Sequence, residues 1–329
     1  VSKVVTVEQS SVAPTALTLS ADSICNGAAT NVTVDADGTL GSGATYEWST
    51  DNYTTTIPGE TTSQITVSPT TTTTYYARII GSVLCADVSA TVVSNTVTVT
   101  EPSVAPTALT ISTDSICNGA ATNVTVDADG TLGTDAVYEW SDDNFTTTIP
   151  GEATSQITVS PTTTTTYYAR IVGPAPCSDV SATVVNKVVT VTEPSVAPTA
   201  LTPSSDTICN GYSGTVDADG TLGTDAVYEW SDDNFTTTIP GEATSQITVS
   251  PTTTTTYYAR IVGPAPCADV SATVASAVLT VTDSSIAPTA LTVSADSICN
   301  GAATNVTVDA DGTLGTDAVY EWSDDNFTT

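Results

Sequence analysis

The sequence predicts an all-β protein, a tandem array of β-sandwich domains strung end to end with a repeat of about 90 residues. Three observations carry this. The octapeptide SVAPTALT begins at Ser11, Ser103 and Ser195 and returns as SIAPTALT at Ser285, in steps of 92, 92 and 90 residues. Such a period is too long for one turn of a solenoid and suits a whole small domain. Apolar and polar residues alternate with period two through every unit, and no stretch carries a helical period. The composition is rich in Val, Thr, Ala and Tyr, the residues of strands. The repeat divides the chain into 1–10, the end of a preceding unit, then complete units at 11–102, 103–194 and 195–284, and a truncated unit at 285–329. Both ends resemble cuts through a longer array: VSKVVTVEQS matches VNKVVTVTEP at Val185–Pro194, and EWSDDNFTT stops in mid-unit.

Within the second unit each element follows in order. TALTIS is the expected strand A, ATNVTVDA strand B, AVYEWSD strand C, SQITVS strand E, TTYYARIVG strand F and SATVVNKVVTVTE strand G. Gly-, Pro- and Asp-rich turns separate them, as in a sandwich. The segment SPTTTTTYYARI starts at Ser160 and recurs nearly unchanged at Ser68 and Ser250. Pro161 ends strand E, the threonines turn the chain through the E–F corner, and the last of them enter strand F. Threonine is stiff at χ1 and favours extended backbone while staying wettable. The tyrosine pair then falls where immunoglobulin-like folds keep a corner tyrosine. Tyr75, Tyr167 and Tyr257 are therefore expected inside, with the hydroxyl bonded to nearby backbone. Trp48, Trp140, Trp230 and Trp322 are the expected core tryptophans of strand C. Glu139 faces outward beside Arg170, and Phe145 is the main exposed aromatic.

The charge narrows function. With 36 acidic against 5 basic residues, a net charge of -31 and no histidine, nucleic acid is excluded as a partner. The usual general base and the commonest transition-metal ligand are missing too. No phosphate loop or nucleophile elbow occurs, so the chain is expected to be no enzyme. No apolar run approaches the ~20 residues of a membrane helix.

The pattern SICNG…VTVDADGTLG…YEWS…ITVSPTTTTTYYAR…C…VTVT resembles the immunoglobulin-like repeats of large secreted and cell-surface proteins of Bacteroidota, among them gliding-type adhesins exported by type IX secretion. The likeness covers every unit. It implies an extracellular or cell-surface location, outer-membrane-anchored or secreted, and a structural part in an adhesin stalk or filament. It implies little about activity.

Seven cysteines occupy two places in the unit: Cys25, Cys117, Cys209 and Cys299 before strand B, and Cys85, Cys177 and Cys267 after strand F. An exported chain makes disulfides the default. Antibody domains join the middles of strands B and F, but alanines, Ala128 and Ala169, hold those inward positions here. Strands B and F run the same way, so the two cysteines of one unit would lie at opposite ends of a strand of ~25 Å. A disulfide needs Cα atoms within ~7 Å. Bonds between neighbouring units, Cys25 to Cys177 and Cys117 to Cys267, satisfy this. A bond within each unit, such as Cys25 to Cys85, is the alternative if the strand order differs.

DADG recurs at Asp35, Asp127, Asp217 and Asp309, and SDDN follows strand C. Carboxylates at this spacing resemble part of a calcium loop without the full EF-hand pattern. Calcium at a junction would draw on Asp142, Asp143, Asn144, Asp217 and Asp219; acidic turns that solvate the domain are the competing reading. The Asp-Ser/Thr-Ile triplets match an O-glycosylation motif that the resemblance implies, with acceptors Ser23, Ser115, Thr207 and Ser297. The functional expectation is a spacer whose partners are neighbouring repeats, with other copies in a filament or a glycan-bearing surface at a distal tip. The alternative is an array of carbohydrate- or ligand-binding modules.

Overall fold

A computed structural model describes residues 1–81, 92–178, 184–268, 274–301 and 303–327. The first repeat contains β1 (Leu17–Leu19), β2 (Ser23–Cys25), β3 (Val32–Ala36), β4 (Thr45–Ser49), β5 (Gln64–Val67), β6 (Thr73–Ile80) and β7 (Val93–Thr100). The second contains β8 (Leu109–Ile111), β9 (Ser115–Cys117), β10 (Val124–Ala128), β11 (Val137–Ser141), β12 (Gln156–Val159), β13 (Thr165–Val172) and β14 (Val185–Thr192). The third contains β15 (Leu201–Pro203), β16 (Thr207–Cys209), β17 (Gly214–Ala218), β18 (Val227–Ser231), β19 (Gln246–Val249), β20 (Thr255–Val262) and β21 (Ala275–Thr282). Two short strands follow, β22 (Leu291–Val293) and β23 (Val308–Ala310).

Each repeat forms the same two sheets. In the first, β1-β3-β5 make an antiparallel sheet of three, and β2-β7-β6-β4 a sheet of four. The two faces alternate, so β6 reads half-buried, buried, half-buried along TYYARII. This is the tandem β-sandwich expected from the period-two pattern. One element lies outside the expected set: β2, β9 and β16 each pair in parallel with the last strand of their repeat. The segment expected to be a lead-in to strand B is thus a strand of its own, ending in the cysteine.

By compactness the chain divides into Val1–Asp114 with Asn123–Val189, and Ser115–Thr122 with Thr190–Thr329. In the first unit Trp48 and Trp140 are fully buried, as are Ala77 and Ala169, their cross-strand partners. The small alanine leaves room for the indole across the strand pair. Each large apolar side chain taken from water contributes roughly 1.5–3 kcal/mol. The indole Nε1 of Trp140 donates to the Thr154 carbonyl at 2.8 Å, so its polar edge is satisfied. In the second unit Trp230 sits in the same way among Val216, Ile247, Ile261 and Leu279.

Tyr75, Tyr167 and Tyr257 are buried, but the corner bond expected of them is not present among the described residues. The tyrosine two residues before each tryptophan makes the backbone bond instead: Tyr138 Oη donates to the Gly130 carbonyl at 2.6 Å. Gly130 also lets Ile171 and the Val104 carbonyl pack close against this turn, since a Cβ there would lie 2.8 Å from Ile171 and 2.9 Å from the Val104 carbonyl. Trp322 also departs from expectation, being 54% exposed. Among the described residues, 318–327 form no strand, so no cross-strand alanine lies opposite Trp322 as Ala77 does opposite Trp48.

The threonine run has identifiable work. Thr72 Oγ1 accepts the Val99 N–H at 3.0 Å, and Thr254 Oγ1 accepts that of Val281 at 3.1 Å. These hydroxyls satisfy backbone donors of the last strand that no ladder partner reaches. Further on, the hydroxyls of Thr74 and Thr96 meet across β6 and β7 at 2.8 Å.

Candidate functional site: the repeat junctions

The residues with the most specific chemistry gather where one repeat passes into the next. Between β7 and the following repeat lie only Glu101, Pro102 and Ser103 before Val104 bridges to Thr131. The Glu101 N–H donates to Thr134 Oγ1 at 2.9 Å, and its carbonyl accepts the Thr134 N–H at 2.9 Å. Its carboxylate faces the other way and accepts two bonds of 3.0 Å from Asn26 Nδ2. One glutamate therefore holds the end of the first repeat by its side chain and the second repeat by its backbone. Ser103 Oγ accepts the Gly133 N–H at 3.0 Å. Gly133 must be glycine, since a Cβ there would stand 2.2 Å from the Glu101 carbonyl oxygen.

Glu193 repeats the arrangement in the second compact unit. Its N–H donates to Thr224 Oγ1 at 2.8 Å, and its carboxylate accepts from Asn118 Nδ2 at 3.1 and 3.0 Å. A third copy uses Asp283, shorter by one methylene, with Thr316 and Asn210. Sequence reasoning missed this clamp. The recurring VTVTEP and CNG segments were visible signals, but nothing local indicates that their Glu and Asn meet about 75 residues apart.

The cysteines lie beside the clamp. The structure joins Cys25 to Cys177 and Cys117 to Cys267, each with Cα atoms 4.9 Å apart. Each bond runs from the end of a parallel edge strand in one repeat to the turn after strand F in the next. Thr100 Oγ1 donates to the Ile24 carbonyl at 3.2 Å and lies 3.3 Å from Cys177 Sγ; Thr192 stands likewise 3.3 Å from Cys267 Sγ. Cys209 and Cys299 are free and exposed. Cys85, and with it the alternative bond within the first repeat, lies outside the described residues.

The acidic positions are occupied locally. Ser141 Oγ donates to Asp143 Oδ1 at 2.7 Å and accepts the Asp143 and Phe145 N–H groups. Thr147 donates its N–H and hydroxyl to the same carboxylate. Asp219 accepts from the Thr199 N–H and hydroxyl and the Ala200 N–H, at 2.6–3.0 Å. The Thr199 hydroxyl bond, joined by these backbone donors, holds its carboxyl at about 2. Asp129 is held at about 2 by the equivalent Thr107 and Ala108 donors. Asp142 and Asp217 are exposed, and Asn144 sits in the left-handed region at φ 58°. Among the described residues no group of three or more Asp, Glu, Cys or His side chains is placed to hold a metal ion.

Phe145, expected to be exposed, is partly covered. It is half-buried, with the Arg170 guanidinium 4.1 Å from its ring centre. Arg170 in turn pairs with Glu139 at 2.6 Å. The turn that places the ring holds both Asn144 and Phe145 at positive φ. The same stack recurs with Tyr53, Arg78 and Glu47, and with Phe235, Arg260 and Glu229. Of the hydroxyls expected to carry glycans, Ser23 and Ser115 open β2 and β9 and are half-buried, whereas Thr207 and Ser297 are exposed.

The model of the family described as "Domain of unknown function (DUF8696)" matches residues 15–101 and 199–283, more than half of the chain. The chain belongs to this family. The matched stretches are the first and third repeats, each with its tryptophan, corner threonines and final strand. Among solved structures, the chain is similar to the I-band fragment I67–I69 from titin, with 15% identity, a TM-score of 0.50, and coverage of 82% of this chain and 98% of that one. An E-to-A variant of the same three titin domains matches at 14% identity and the same TM-score, covering 83% and 99%. The full ectodomain of mouse nectin-like molecule 4 matches at 13% identity and a TM-score of 0.38, covering 79% and 96%. The titin likeness gives the fold: tandem immunoglobulin-like sandwiches. No curated protein matches the sequence.

Proposed function

We propose that this chain is a non-catalytic spacer, the repeat region of a cell-surface adhesin or extracellular filament, with the repeats 11–102, 103–194 and 195–284 as its building blocks. The observation that carries the reading is the junction. Three linking residues, a Glu–Asn–Thr clamp and a disulfide all act at one place, which favours transmission of tension over independent movement of the repeats. Disulfides persist in oxidising surroundings, so they support a location outside the cell. The Bacteroidota resemblance supports export by the type IX route, a part in gliding or surface attachment, and O-glycosylation at Ser23, Ser115, Thr207 and Ser297. The ligand-binding alternative loses its main candidate, since Arg170 already covers Phe145.

Small-angle scattering of the oxidised and reduced chain tests the spacer. Reduction is expected to broaden the distribution of intramolecular distances relative to the oxidised chain. An identical profile after reduction would remove the staples from the account. Saturable binding of the chain to a glycan array, lost on removal of Phe145, would favour the alternative.

A further inference from the structure

The two disulfides interleave. In chain order the bonded residues are Cys25, Cys117, Cys177 and Cys267, with the first bond joining the first to the third and the second the second to the fourth. Each closes a loop of 152 or 150 residues, longer than one repeat, so the loops overlap between Cys117 and Cys177. From Cys25 two covalent routes lead to Cys267. One crosses the first disulfide and follows the backbone from Cys177. The other follows the backbone to Cys117 and crosses the second disulfide. Each route contains one repeat length of backbone, because the same period separates both pairs of cysteines.

We propose that the stapled chain is a two-path covalent tether, whose end-to-end continuity depends on no single peptide bond between Cys25 and Cys267. The near-equal routes have a mechanical consequence. A fully extended residue spans at most ~3.3–3.6 Å, so when the sandwiches unfold under tension both arms tighten at almost the same extension and share the load. The bonds also cap that extension at about one repeat of backbone where the reduced chain releases more than two. This inference rests on the disulfide order alone and stands or falls apart from the adhesin reading.

The exposed turns at Gly59, Gly151 and Gly241 provide the test. All three glycines have positive φ and no atom within 4 Å of a built Cβ, so a short site-specific protease sequence is accommodated beside each. Three variants, one site each, are purified without reductant, treated with iodoacetamide to block Cys209 and Cys299, cleaved, and run on denaturing gels. Without reductant each nicked chain is expected to run as one species of full mass, and with reductant as two fragments. The same nicks in a Cys117→Ser/Cys267→Ser background separate the tether into its parts. The Gly241 nick then releases a fragment without reductant, while the Gly59 and Gly151 nicks still do not. In a Cys25→Ser/Cys177→Ser background only the Gly59 nick releases one. Because the gels are denaturing, a variant that folds poorly still reports its covalent connections. Release of a fragment from the fully bridged chain at Gly59 or Gly241, or at Gly151 when one bridge remains, would overturn the proposal.

Discussion

The first and third repeats carry the same edge strand, yet its cysteine meets different company. At the end of β2, Cys25 is bonded, Asn26 grips Glu101 and Thr100 lies against the partner sulfur. At the end of β16, Asn210 grips Asp283 and Thr282 donates to the Ile208 carbonyl, just as Thr100 does to Ile24. Cys209 nevertheless is free and exposed among the described residues. The platform is therefore built by its own repeat, and the bond is completed only by the turn after strand F of the following one. Trp140 and Trp322 differ on a second level. Trp322 itself is exposed, and its segment pairs with no strand among the described residues. Core formation is settled within a repeat; stapling is settled between repeats.

The largest effect should separate these levels at the tryptophans. Trp140→Ala is expected to destabilise its repeat by about 3–5 kcal/mol, leaving the Thr154 carbonyl without its donor, whereas Trp322→Ala should leave the denaturant midpoints of the chain unchanged. Loss of the first staple, by Cys25→Ser with Cys177→Ser, should cost about 2–4 kcal/mol in calorimetric unfolding. Cys209→Ser should have no such effect and should abolish one maleimide-reactive thiol in the native chain. Gly133→Ala forces the junction backbone apart and should cost roughly 1–3 kcal/mol, read as a lower melting temperature with the disulfides intact.

Smaller effects sharpen the picture within a repeat. Arg170→Ala removes a half-exposed ion pair and the cover over Phe145, each worth no more than about 1 kcal/mol. It should also make Phe145 accessible to solvent, which its NMR ring resonances would register. The smallest concerns pH. Asp129 has a folded pKa below its unfolded value, so its contribution is fully present above the ordinary carboxylate pKa. That contribution is lost as pH falls through about 2. Asp129→Asn should flatten the melting-temperature profile over that acid window and leave the neutral region with a modest, pH-independent loss.

Much of the fold was legible because strand alternation is a local property. The expected strands, and the inward tryptophan and tyrosine, follow from residues two apart. β9 escaped notice because three residues with one apolar side chain, Ile116, give no period to read; its strand character comes from parallel pairing with residues 190–192. A backbone bond is expected of Tyr167 and is found at Tyr138 instead, because both tyrosines point inward and alternation does not tell which hydroxyl faces a carbonyl. The cover over Phe145 is not legible in the sequence, because the left-handed turn that folds it under Arg170 leaves only an ordinary SDDNF there. The Glu101 clamp is still less local, since its partners come from the repeats on either side.

Peptide mapping of the unreduced chain tests the central claim most directly. The five basic residues allow trypsin to separate every described cysteine relevant to the staples. The account predicts two disulfide-linked pairs: Val4–Arg78 with Ile171–Lys187, and Ile79–Arg170 with Ile261–Thr329. Cys209, in Val188–Arg260, should be recovered alkylated. A linked pair of Val4–Arg78 with Ile79–Arg170 would contradict the account, because it would tie the first repeat's Cys25 to Cys85 or Cys117 and leave the junction without its staple.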